Sequence, residues 1–204
     1  MLVKCINTES FTAKGLTTLD ELCNHFGALK NVTLGNVKSI GPHAFEQCKK
    51  LESVTGTSKV TSVGEFAFSN CKNLTKITFT SKLKHINTSA FDGCSKLTGK
   101  FNFKNVEYIS SNAFRNCKKL NGTLNFAKVD SIESGAFKNC RNVKCTTLGK
   151  KINSVGSEAF KGCTKIKSIN IRKGCGFVAN NAFDENVTIK GYTQQPPSNL
   201  VPVE

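Results

Sequence analysis

The chain has 204 residues, 38% of them hydrophobic and 21% charged, and its 29 Lys and Arg against 14 Asp and Glu give a formal net charge of +15. That length allows one or two globular domains, and no apolar run approaches the roughly 18 residues of a membrane-spanning helix. The opening MLVKCINTESFTAKG lacks the apolar core of a signal peptide, so on its face the chain reads as soluble and unexported.

Residues 1–28 stand outside the repeat pattern of the rest of the chain, and DELCNHF reads as an N-terminal cap. LDELCNHFGALKNVTL resembles a worn repeat with Leu29, Val32 and Leu34 as its strand. From residue 29 to 192 one phrase recurs. Phe45, Phe68, Phe91, Phe114, Phe137, Phe160 and Phe183 are each 23 residues after the last, each preceded by Ala. Three residues on come Cys48, Cys71, Cys94, Cys117, Cys140 and Cys163, with Asn186 in the last copy. A column of Ile and Val (Ile40, Val63, Ile86, Ile109, Ile132, Val155, Val178) keeps the same step five residues before the Phe. A fixed period of this size signals stacked repeats and decides for one domain. Residues 193–204 close the chain, and GYTQQPPSNLVPVE holds three of the four prolines, so the end reads as an extended tail.

Within a repeat the apolar residues keep neither a sustained helical spacing nor a long alternation, so each element is short. LTKITFT ends in a brief period of two, as a strand of three or four residues should. Copies three and four, LTGKFNF and LNGTLNF, place the apolar pair one residue later and shorten the next turn by one. Asn70, Gly93, Asn116, Asn139 and Gly162, two after the Phe, tolerate the left-handed conformation that ends a helix. Gly41-Pro42 and Ser110-Ser111 suit its start. Each repeat therefore reads as a short strand, a bend, one helical or 3-10 turn and a bend back. Such a coil buries its Phe, Ile and Leu only against its neighbours.

The string LTKITFTSKLKHINTSAFDGCSKL resembles the BspA-like leucine-rich repeats, whose pattern is Leu-x-x-Ile-x-Ile, Leu-x-x-Ile and Ala-Phe-x-x-Cys. The resemblance implies an α/β solenoid, a curved right-handed superhelix with a parallel concave β-sheet and short helical or 3-10 turns on the convex side. It also implies binding rather than catalysis, with cell-surface adhesion a common theme among relatives.

The six column cysteines should be buried thiols, because side chains that run parallel do not suit disulfide geometry. Cys175 reads as core, Cys145 as exposed, and Cys5 with Cys23 as the only plausible bridge. Zinc spacing is absent, so no metal and no cofactor are expected. His25, His43 and His85 fall in columns that do not converge, Asp92, Glu133 and Glu158 are scattered, and no P-loop, nucleophile elbow or dinucleotide fingerprint occurs. The chain reads as no enzyme and as taking no small-molecule substrate.

Function then lies on surfaces. Thr33, Thr55, Thr78, Asn102, Asn125, Thr147 and Asn170 should point out of the concave sheet as a ladder, joined by Lys76, Lys100, Lys144, Lys167 and Arg172. The ladder is open to two readings, sheet chemistry or ligand contact. Two rows of cations flank it: Lys49, Lys50, Lys72, Lys96, Lys118, Lys119, Arg141 and Lys165 after the Cys column, and Lys59, Lys82, Lys128 and Lys151 after the strands. They either solubilise bends or favour an acidic protein or a sulfated or sialylated glycan. With no aromatic expected on this face, nucleic-acid base stacking is unsupported. An intracellular polyanion-binding scaffold and a structural spacer are the alternatives. Sequons at Asn31, Asn73, Asn87, Asn121 and Asn186 matter only on export.

Overall fold

A computed structural model describes residues 8–19, 27–98, 101, 103–145 and 147–192. Cys5, Cys23, His25 and the tail expected at 193–204 lie outside the described residues. The strands are two or three residues long: β1 (Ser10–Thr12), β2 (Thr18–Leu19), β3 (Asn31–Thr33), β4 (Ser39–Ile40), β5 (Ser53–Thr55), β6 (Ser62–Val63), β7 (Lys76–Ile77) and β8 (His85–Ile86). They continue as β9 (Tyr108–Ile109), β10 (Asn121–Thr123), β11 (Ser131–Ile132), β12 (Asn142–Lys144), β13 (Ser154–Val155), β14 (Ser168–Asn170), β15 (Phe177–Val178) and β16 (Thr188–Lys190).

All pairings are parallel, and the chain is a β-solenoid. The coils build two sheets rather than the single one that the apolar pattern suggests. The expected strand builds the first sheet, β1-β3-β5-β7, which resumes as the pairs β10-β12 and β14-β16. A second sheet of eight strands, β2-β4-β6-β8-β9-β11-β13-β15, runs without interruption. Its strands carry one inward residue each, from Ile40 to Val178, and these are buried to 4% exposure or less. β1 and β2 already pair with β3 and β4, so both sheets begin upstream of residue 29.

The helical turn expected around Ala-Phe is replaced by a different device. Among the described residues there is no α-helix, and the one 3-10 turn, Thr57–Lys59, lies elsewhere. Two left-handed positions bracket each of the first six Phe, from Phe45 to Phe160. Two residues before it stand His43, Phe66, Ser89, Asn112, Gly135 and Glu158, with φ between 51° and 65°. Two residues after it stand Gln47, Asn70, Gly93, Asn116, Asn139 and Gly162, with φ between 57° and 76°. Between them the N–H groups alternate in direction. Those of Ala67, Ser69 and Cys71 bond three residues back within the coil, whereas those of Phe66, Phe68 and Asn70 donate to Thr88, Ala90 and Asp92 of the next coil at 2.7 to 3.0 Å. A 3-10 helix would keep every bond inside its own coil, so this turn exchanges half its local bonds for a third ladder along the stack.

The core lies inside this triangle of ladders. The seven Phe rings form one spine, with successive centroids 5.1 to 5.4 Å apart and interplanar angles of 11° or less. Burying each ring contributes roughly 2–3 kcal/mol as an upper bound. Where copies three and four shift their apolar pair and the first sheet is interrupted, Phe101, Phe103 and Phe126 pack on the spine edge-on or tilted. Ala beside each Phe is fully buried.

Candidate functional site

The Cys column sets the rigid edge from which the surface rows project. The first five Phe carbonyls, pointing along the stack, each accept a thiol from the next coil: Cys71 donates to Phe45, Cys94 to Phe68, Cys117 to Phe91, Cys140 to Phe114 and Cys163 to Phe137, at 2.9 to 3.1 Å. A small side chain with a weak donor fits this need, and these cysteines are unbridged. Burial pushes the Cys71, Cys94, Cys117 and Cys163 thiols far up. Cys145, expected at the surface, is instead 2% exposed and its thiol is pushed up to about 12 by burial. Cys145 follows inward-facing Val143 on β12 by two residues, which returns it to the core side. None of these thiols is a ready nucleophile.

Directly after the Cys edge the chain bends outward, forms the first sheet, and bends again into the second. Thr33, Thr55, Thr78, Asn125, Thr147 and Asn170 are exposed on this stretch, as are Lys76, Lys144, Lys167 and Arg172. Asn102 and Lys100 lie outside the described residues. The ladder is broken into pieces. Thr33 and Thr55 sit in register with their hydroxyl oxygens 3.2 Å apart, and Thr147 bridges to Asn170. Lys144 pairs in register with Thr123, not with Asn125, because the one-residue shift in copy four brings Asn121–Thr123 into the sheet while Leu124 and Phe126 turn inward.

Taking the stretch of each coil from its Cys to two residues past the second bend, residues 48–60, 71–83, 94–106, 117–129, 140–152 and 163–175, twenty of the 29 Lys and Arg fall here with one of the 14 acids, Glu52. The net charge of this face is +19, and that of the remaining chain is −4. Every described cation on the face is exposed. Lys104, Lys150 and Lys173 join the second row, which the 23-residue register alone leaves out because they sit one position early. The ion pairs seen among the described residues lie off this face, among them Lys30–Glu9, Lys84–Glu107, Lys138–Glu158, Lys161–Glu158, and Arg115 clasping Asp92 with Nε and Nη2. Apart from Lys104, no described cation of the face has an ion-pair partner among the described residues.

The outer face of the second sheet is of another character. Its outward column reads Thr18, Ser39, Ser62, His85, Tyr108, Ser131, Ser154, Phe177, and Tyr108 and Phe177 are 49% and 57% exposed. Tyr108 stacks on His85 with centroids 5.6 Å apart. The two histidines described remain apart, His43 pairing instead with Glu46 in its own turn at 2.6 Å. Among the described residues no three His, Cys, Asp or Glu side chains gather as metal ligands. No described helix is long and apolar enough to cross a membrane.

A family model described as "BspA type Leucine rich repeat region (6 copies)" matches residues 17–144 and 100–197. No curated protein matches the chain. Among solved structures, a leucine rich cell surface protein from Faecalibacterium prausnitzii is 24% identical with a TM-score of 0.68, over 81% of this chain and 48% of that one. The T. pallidum leucine rich repeat protein is 25% identical with a TM-score of 0.60, over 77% of each chain. A leucine-rich repeat protein from Bacteroides ovatus is 21% identical with a TM-score of 0.54, over 86% of this chain and 57% of that one. The chain thus spans about half the length of the first and third of these proteins.

Proposed function

The chain belongs to the BspA-type leucine-rich repeat family, and from that premise we propose that it is a recognition module that docks an acidic macromolecule, protein or glycan, on its first-sheet face. The observation that carries this reading is the one-sided charge: twenty cations and a single acid share one side of every coil from Cys48 onward. Lysines that served solubility alone would be mixed with acids, as they are on the rest of this chain. A field of one sign along a face raises the encounter rate with an opposite partner and rejects like-charged ones. The exposed Thr and Asn side chains between the rows supply hydrogen bonds. Cell-surface adhesion is the setting that the family suggests for such a module.

The test is retention on a polyanionic column. Lys76→Glu, Lys144→Glu and Lys167→Glu together should lower the eluting salt sharply, whereas Lys38→Glu, Lys84→Glu and Lys138→Glu, off this face, change net charge equally and should shift it little. Equal shifts for the two triple variants would show that net charge alone is at work and would sink the reading.

A further inference from the structure

The geometry points to a linear sulfated glycan as the occupant of the basic face, lying along the solenoid axis with one sugar over each coil; this rests on the reading of that face as the site of an acidic partner. Parallel strands of successive coils are about 4.8 Å apart, so six coils make a strip about 24 Å long. Along its first edge run Lys49 and Lys50, Lys72, Lys96, Lys118 and Lys119, Arg141, and Lys165. Along its second run Lys59, Lys82, Lys104, Lys128, Lys150 and Lys151, and Arg172 with Lys173. No coil in the strip lacks a cation on either edge. After Glu52 in the first coil, no acid interrupts it.

An acidic protein would need more than charge. Protein interfaces are held by buried aromatic and apolar anchors at their centre, and the middle of this strip offers none among the described residues. The exposed large apolar residues among the described ones are Tyr108 and Phe177 on the second sheet, and Leu16 and Ile189 in the first and last coils. The same lack removes the stacking platform that single-stranded nucleic acid requires. A pyranose chain advances by close to one coil rise per sugar and carries anionic groups alternately toward its two sides, so both edges engage it. Its hydroxyls face the exposed Thr55, Thr78, Asn125, Thr147 and Asn170 between the edges. Sulfate suits exposed Lys because it stays ionised at every physiological pH.

Heparin-derived oligosaccharides from two to twelve sugars, titrated calorimetrically at several salt concentrations, test this. Affinity should rise about 100-fold from two to six sugars, as successive coils each add weak exposed ion pairs, and then level off. The dependence of log K on log salt should steepen over the same range and no further. The unsulfated chain should not bind, and polyglutamate of matched charge should bind at least about tenfold more weakly than the hexasaccharide. Affinity independent of length, or polyglutamate binding as tightly, overturns the glycan while leaving an acidic partner on this face. Tighter binding of duplex DNA overturns it in favour of nucleic acid. Binding of every polyanion unaltered by Lys76→Glu, Lys144→Glu and Lys167→Glu overturns the reading of the face itself.

Discussion

Replacing Phe114 by Ala probes the stack at its centre. The ring is fully buried and touches four others: Phe91 and Phe137 face to face at 5.2 and 5.3 Å, Phe101 and Phe103 edge-on at 5.1 and 5.6 Å. Removing a buried Phe costs about 3–5 kcal/mol, and aromatic pairs add about 0.5–1.5 kcal/mol each beyond burial, so the cost should reach about 5 kcal/mol. Phe183 ends the spine, 7% exposed and, among the described residues, stacked only on Phe160 at 5.2 Å. Phe183→Ala should cost about 3 kcal/mol or less by the same reckoning. Urea unfolding followed by circular dichroism measures both. Because stability in a repeat stack is a sum of coil and nearest-neighbour terms, the central variant should also lose cooperativity, its two halves melting apart. Should Phe114→Ala leave nothing folded, Phe114→Leu keeps most of the apolar volume and should still cost more than Phe183→Leu. Equal costs at the two positions would refute the idea that the spine is coupled along its length.

Alkaline pH should unfold the protein through its thiols. Those of Cys71, Cys94, Cys117, Cys145 and Cys163 hold their proton in the folded state well above the ordinary value of 9.0. The unfolded chain therefore loses protons first, and stability should be flat with respect to these groups below about pH 8 and fall as pH rises through and beyond 9. A urea midpoint unchanged between pH 8 and pH 10.5 in the wild type, or an identical fall in a variant with these cysteines replaced by Ala, would contradict this. A thiol reagent at pH 8 should label the buried column only on unfolding, and rapid labelling of the native protein would count against burial. Gly149→Ala should destabilise by more than about 2 kcal/mol, because a methyl there would stand 1.9 Å from the Phe126 carbonyl oxygen, which the backbone of the preceding coil holds in place. A thermal midpoint unchanged by that substitution would show that the coils can part.

The stack is legible in the sequence because its core columns repeat in residue type as well as in spacing: Phe and Ile or Val recur at every step and Cys at all but the last, and a repeat that exact has few other physical meanings. The second sheet is not. Its strands place a single inward residue per coil, as Ile86 and Ile109 do, and alternation cannot be seen in one residue. The turn around the Phe is hidden for a related reason. The left-handed position after it is mostly Asn or Gly, but the one before it holds His43, Phe66, Ser89 and Glu158, which carry no common signature of positive φ. Cys145 is misplaced by the sequence pattern because it stands outside the Cys column, and only the register of β12 turns it inward. The two rows of Lys are visible as rows. That they share one face with almost no acid becomes visible only once the bends on either side of the first sheet are located.

The most direct test of the one-sided site is lysine footprinting by acetylation and mass spectrometry, with and without a bound heparin hexasaccharide. Lys72, Lys96, Lys118, Lys128 and Lys151 should be protected, while Lys30, Lys38 and Lys138 should react as they do in the free protein. Protection spread evenly over both groups, or confined to the second, would contradict the account.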